Sequence, residues 1–199
     1  MKRIEAARAA RWMVLMALTL SQTVWSDELS AFDSRAEVAS IWRLAAQKYQ
    51  VNVVDLYAIA LQESRRRGPD GSYRAWPWTL NSKVGGPMFF ETYEAASKKL
   101  NEIIGAGETN VDIGLMGVNW HFHRHRVSDP ASLLLPSNNI PIAAQIYKEH
   151  LVRFAGDRHL ALARYHNGRR ELGFPYAASV LSIADYLSGA ANVQLALTN

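Results

Sequence analysis

The stretch Asn52-Val-Val-Asp-Leu-Tyr-Ala-Ile-Ala-Leu-Gln-Glu63-Ser64, followed by Arg65, Arg66, Arg67, Gly68 and Pro69, decides how this chain is read. Asn52 with Asp55 three residues on is a helix start. Leu56, Ile59, Ala60 and Glu63 then recur along one side at helical spacing, and Gly68-Pro69 sets the limit of the helix. A glutamate whose companions on that side are apolar loses hydration as an anion. Its pKa rises, and it keeps a proton near neutral pH that it can give to a leaving oxygen. A second reading is open at this point: Glu63 is a glutamate at a helix C-terminus that pairs with one of the three arginines after it.

Working outward, Ser34-Arg-Ala-Glu37 forms a capping box, and Val38, Ile41, Trp42, Ala45 and Tyr49 place a helix over about 35–49. From Gly68 to Phe90 the chain is punctuated by Pro69, Gly71, Pro77, Gly85, Gly86 and Pro87, which predicts turns and a small hairpin. Helical spacing returns at Tyr93, Ala96, Leu100 and Ile103, with Gly105 as the stop. Pro136 to Asn139 reads as a break before a helix carrying Ile142, Ile146, Tyr147 and Leu151. Gly156-Asp157 opens another that runs to Tyr165 and stops at Gly168. A last amphipathic helix is expected from about Pro175, using Tyr176, Val180, Ile183 and Leu187. The fold expected is mainly α, of the α+β class: one helical domain over residues 27–199 with a small irregular or β-hairpin insertion.

Residues 1–26 read as a secretory signal, with a basic start, an apolar run from Trp12 to Leu20 and a polar end at Val24-Trp25-Ser26. A membrane span needs roughly 20 apolar residues, so no stable span is expected after signal cleavage, and the expected location is the periplasm. The formal charge of +4 contains +3 from the leader, leaving the remainder near +1. That balance gives no argument for nucleic acid as a partner. The absence of cysteine excludes a disulfide, a lipoprotein anchor and a cysteine nucleophile.

Beyond Glu63, four short segments carry a resemblance. Ala60-Leu-Gln-Glu63-Ser64 is similar to the ES motif of the soluble lytic transglycosylase family. Gly114-Leu115-Met116-Gly117-Val-Asn119-Trp120 resembles that family's GLMQ segment, Asn139-Ile140 its NI element, and Ala161-Leu-Ala-Arg-Tyr165-His166-Asn-Gly168 its AxxYxxG segment. The four stand in the family's order. Trp76-Pro-Trp78-Thr-Leu-Asn81 further resembles the branch encoded with conjugative and type IV secretion machinery, including integrating conjugative elements. The resemblance implies a lysozyme-like fold, peptidoglycan glycan strands as substrate, components of a secretion channel as partners, and no metal or other cofactor. It makes Glu63 the catalytic acid, with Ser64, Met116, Asn119 and Tyr165 in supporting or substrate-positioning roles. Gly114, Leu115, Gly117, Asn139 and His166 join Tyr73, Trp76 and Trp78 as candidates for the glycan groove. The usual glutamine of GLMQ is Gly117 here, so Gly117→Gln is expected to raise turnover if that side chain braces the groove.

The residue types bear on mechanism as well. Glycosidases that rely on two carboxyl groups hold them about 5 Å apart when retaining and roughly 6.5–9.5 Å apart when inverting. Asp70, Glu91 and Asp112 lie in unrelated segments without a partner motif, which favours assistance by the substrate's own acetamido group. His121, His123 and His125 would face one way on a strand, but they lack metal-ligand spacing and read as a solvated basic face. Trp76 and Trp78, with Tyr73 and Phe89, serve equally well as sugar platforms or as a cluster holding the loop down. Two rivals to an enzyme of this family are a wall-binding subunit that has lost turnover through Gly117, and a metal-dependent hydrolase built on the histidines.

Overall fold

The computed structural model describes residues 40–68 and 71–189. The leader, the Ser34–Glu37 capping box, the 35–39 part of the first expected helix, and Pro69 and Asp70 lie outside them. Helix α1 (40–49) buries Trp42, Ala45 and Ala46. Helix α2 (Val53–Ser64) follows, its first turn held by the Asn52 side chain, which accepts from Val54 N at 2.7 Å. Its Leu56, Ala58, Ile59 and Ala60 are wholly buried, so α2 is the central element of the core. Burial at about 2 kcal/mol per large aliphatic side chain is what keeps the helix there, since its length alone would not.

Helix α2 ends before Gly68-Pro69, with Glu63 in its last turn, as expected. Ser64 closes it, and Arg65–Arg67 forms strand β1, paired antiparallel with β2 (Tyr73–Ala75). The Ser64 hydroxyl fixes this exit: it lies 3.0 Å from Ala60 O and 2.9 Å from Leu115 O, and it accepts from Trp76 N at 3.1 Å. A second, four-stranded antiparallel sheet comprises β3 (Thr79–Ser82), β4 (Gly86–Phe89), β5 (Val111–Ile113) and β6 (Val118–Asn119), in the order β4-β3-β5-β6. Alternation along these strands sorts the faces. Leu80, Ile113 and Val118 lie buried in one cross-strand row, while the neighbouring row holds Asn81, Asp112 and Asn119. Between β4 and β5 runs helix α3 (Tyr93–Gly105), capped by Thr92, with Ala96, Leu100 and Ile103 buried.

The alternating histidines fall on a short helix, α4 (Trp120–His123), and the 3-10 turn Arg124–Arg126, not on a strand. Helix α5 (Pro136–Arg153) begins at Pro136 itself, where the missing N–H costs nothing, so Pro136–Asn139 is its first turn and not a break. Helix α6 (Arg158–His166) starts at the Asp157 cap. Helix α7 (Arg170–Gly189) begins five residues before Pro175, its start held by the Asn167 side chain, which accepts from Arg169 N at 2.9 Å. A proline in the second turn forfeits one helical hydrogen bond, which hid this boundary in the sequence. Helices α2, α5, α6 and α7 pack together and the four-stranded sheet flanks them, as expected of a mainly helical domain with a β insertion. Among the described residues no helix is long and apolar enough to cross a membrane.

Candidate active site

Glu63, in the last turn of α2, opens onto a cavity of about 370 Å³ whose walls come from β5, β6, α4 and α6. A smaller cleft, lined by Leu80, Asn81, Met88 and Phe89 of β3 and β4, also reaches Glu63. The carboxyl group therefore sits where two halves of one groove meet. Burial pushes its pKa up to about 8, with the neighbouring Tyr176 hydroxyl pulling the other way and the charge of Asp112 adding to the rise. An acid of this kind is protonated at neutral pH and poised to give its proton to a leaving group. The arginines take no part: Arg66 pairs with Glu91 and stacks 4.5 Å over Trp76.

Gly117 explains how Glu63 reaches this position. The glycine has φ +59°, and a Cβ there would lie 2.6 Å from the Glu63 carboxylate and 3.2 Å from its Cγ. The acid occupies the room that a side chain at 117 would fill. The missing glutamine is thus not a simple loss, and Gly117→Gln is expected to displace the acid and not to raise turnover.

The turn from Gly114 to Gly117 is clamped from beneath. Asn139, fully buried, accepts from Met116 N at 2.8 Å and donates to Ile113 O at 2.9 Å and Leu133 O at 2.8 Å. From the other side Tyr165 donates to Met116 O at 2.8 Å. Burial, and after it the charge of Glu63, pushes the Tyr165 hydroxyl well above its ordinary range, so it remains a donor. Its proton goes to the backbone of the turn, while its ring lines the cavity.

The residues singled out in the sequence thus divide into three groups. Glu63, Asn119, Tyr165, His166, Gly114 and Gly117 border the groove. Ser64, Leu115, Met116 and Asn139 are buried behind it and shape the backbone. Tyr73 and Trp76 lie elsewhere. Tyr73 is an exposed residue of β2, and Trp76 lines a separate pocket with Arg66, Arg67 and Glu91. Trp78 is half-buried against the core and meets Trp76 edge-on at 5.7 Å. The Trp76 indole donates to Phe90 O at 2.7 Å, so the pair fastens the loop before β3.

Asp112, Phe122 and His123 line the groove although the sequence reading assigned them no place in it, Asp112 standing there as a carboxyl group without a partner motif and His123 as part of a solvated basic face, and Tyr176 lies beside Glu63. Tyr176, on α7, is only 7 % exposed, stacks on His166 at 4.4 Å and 4°, and turns its hydroxyl towards Glu63. Its helix position was legible, but its approach to Glu63 depends on how α7 crosses α2. Asp112 faces both halves of the groove, held by Asn119 at 2.8 Å and Asn81 at 3.2 Å across the sheet. Its carboxyl pKa is raised, burial outweighing those two hydrogen bonds. Phe122 and His123, on α4, form the far wall. His123 is held down to about 4, by burial first and then by the charges of Arg126 and His125, so its ring is neutral. Its basic appearance in the sequence is therefore misleading. Among the described residues no three His, Asp or Glu side chains gather as a metal site requires.

The Transglycosylase SLT domain matches this chain over residues 40–179, a span that holds every groove residue named above. No curated protein and no solved structure matches it. The family match covers more than half of the chain, and its helical domain with a small sheet is the lysozyme-like architecture of that family. The chain belongs to the SLT transglycosylases, a family of peptidoglycan lytic transglycosylases.

Proposed function

We propose that the protein cuts the β-1,4 bond between N-acetylmuramic acid and N-acetylglucosamine and leaves a 1,6-anhydromuramic acid end. The observation that carries this reading is the placement of Glu63 at the junction of two groove halves, where burial pushes its pKa up to about 8. A glycan laid along the groove presents its glycosidic oxygen to that acid. Glu63 protonates the oxygen as the bond to the anomeric carbon breaks, and the acetamido oxygen of the muramic acid closes on the carbon and stabilises its charge. The Glu63 carboxylate then takes the proton of the C6 hydroxyl, whose oxygen displaces the acetamido oxygen. One carboxyl group serves both steps, and no water is consumed. Glutamine in place of Glu63 keeps the shape and loses both proton transfers. Glu63→Gln should lower release of anhydromuropeptides by about 100- to 10,000-fold, read by chromatography and mass after digestion of purified wall. Near-normal release would remove Glu63 as the acid.

Asp112 favours a second reading, because a second carboxyl group in the same groove could activate water for hydrolysis. The same digest decides between them, since a hydrolysed end is heavier than an anhydro end by one water. The wall-binding alternative without turnover leans on the loss of glutamine at 117. The close approach of Glu63 supports glycine there as a condition of the acid's placement.

We also assign the protein to the periplasm, opening the wall locally for a conjugation or secretion apparatus. The support is the sequence of residues 1–26 and the Trp76–Asn81 segment. In cells that carry such an apparatus, Glu63→Gln is expected to lower the frequency of transfer, and undiminished transfer would count against the assignment.

A further inference from the structure

The cavity on the β6 and α6 side of Glu63 does not end where the reaction would occur. Phe122, His123, Tyr165, His166 and Asn167 also line a further pocket of about 300 Å³, so the groove continues past them. What changes along the way is charge. The part beside Glu63 contains Asp112, whereas the further pocket is lined by no carboxylate and adds His150 and Arg164. Glu149 is the acidic neighbour there, and both its oxygens are taken by Arg126 at 3.0 and 2.7 Å. Arg164 is exposed, lies against the bare Cα of Gly168, and makes no ion pair or hydrogen bond among the described residues. Burial lowers the pKa of His150 most, the charges of Arg164 and Arg153 add to the fall, and that of Glu149 opposes it. Phe122, 66 % exposed, stands between the two pockets with its ring edge-on to His121. An apolar ring left in water where two pockets of a polar groove meet is a surface for an apolar sugar face.

A groove with an uncompensated guanidinium at its far end calls for an anion on the ligand. In peptidoglycan the sugars are uncharged once the lactyl carboxyl is amide-linked, and the free carboxylates lie on the peptide stems. We propose that the pocket formed by Arg164, His150 and Phe122 binds a stem-peptide carboxylate, so that the protein distinguishes peptide-bearing glycan from denuded glycan. This rests on the glycan-cutting reading above and adds a substrate preference to it.

The test uses the full chain carrying Glu63→Gln, so that ligands bind without being cut. Two forms of a peptide-bearing muramyl tetrasaccharide are compared by calorimetry, one with free stem carboxylates and one with those carboxylates converted to amides. The free acid should bind about five- to tenfold more tightly, as one exposed charge-assisted contact permits. Adding Arg164→Ala should bring the ratio close to one, and Arg164→Lys should retain part of it. Equal affinity for the two forms, or a ratio that survives Arg164→Ala, would overturn the proposal and leave the glycan reading intact. Failure of both forms to bind would remove the glycan reading itself and the proposal with it.

Discussion

Glu63 and Gly117 share one small volume, and the chemistry of the site follows from how it is divided. A side chain at 117 must take a left-handed backbone angle and also push the carboxylate aside. Gly117→Gln is therefore expected to lower turnover by about 100-fold, the usual cost of misplacing a reacting group by roughly an ångström. Equal or higher turnover in a folded variant would show that the acid can reach its position by another route. The same crowding has a cost in stability. The folded protein binds the Glu63 proton up to a pH of about 8, and the unfolded chain releases it near the ordinary 4.5. Between those values the folded state holds more protons, so stability falls as pH rises through the window and the full penalty is present above it. Glutamine has no proton to lose. Relative to the parent, Glu63→Gln should gain unfolding free energy as pH rises from 4 to 9, by on the order of 5 kcal/mol at most, read by chemical denaturation at each pH. Identical pH dependence in the two proteins would mean that the acid is not desolvated. Turnover should follow the same group, with kcat/KM declining above a pH of about 8.

Among the elements, α2 carries the acid and is anchored at its other end by Asp55. This carboxylate is 2 % exposed, accepts from the Tyr147 hydroxyl at 2.9 Å, and is gripped by both arms of the Arg158 guanidinium, with Arg158 Nε at 3.0 Å. One side chain thus joins α2, α5 and α6, the helices that frame the groove. Removing it leaves a buried phenol without a partner and an arginine without its anion. Asp55→Ala should cost about 3 kcal/mol by chemical denaturation. A loss under 1 kcal/mol would mean that packing alone holds the three helices together. Element boundaries were legible where a cap or an apolar period marks them, as at Asn52, Thr92 and Asp157. They were misplaced at two prolines: Pro136, read as a break, sits in the first turn of α5, and Pro175, read as the start of α7, sits in its second turn. The β1 strand was hidden because nothing in three consecutive arginines signals pairing with Tyr73–Ala75.

At the scale of the whole molecule, the sequence revealed the parts of the site that are contiguous in the chain and missed those that meet only on folding. Glu63 and the Gly114–Gly117 turn belong to short local motifs. Tyr176 and Asp112 reach the acid through helix crossing and strand register, and no local pattern carries either. Asn139 was legible as important but not for its reason: its side chain is spent wholly on backbone groups. A separate expectation concerns the leader. If residues 1–26 direct export, protein recovered from the periplasm should begin near Asp27 by intact mass, and a full-length cytoplasmic species as the main product would contradict it.

The Asn139 clamp also fixes one wall of the groove from its buried side. Three hydrogen bonds from a single buried amide tie the start of α5, the end of β5 and the turn beside Glu63, so none of these can shift without breaking several bonds together. The opposite rims carry Phe89 on β4 and Phe122 on α4, 46 % and 66 % exposed, the first held by the β3 ladder opposite Thr79 and the second by the Asn119 cap. The proton donor thus takes its aim from the buried side, and the exposed side is left to meet the polymer with two aromatic faces.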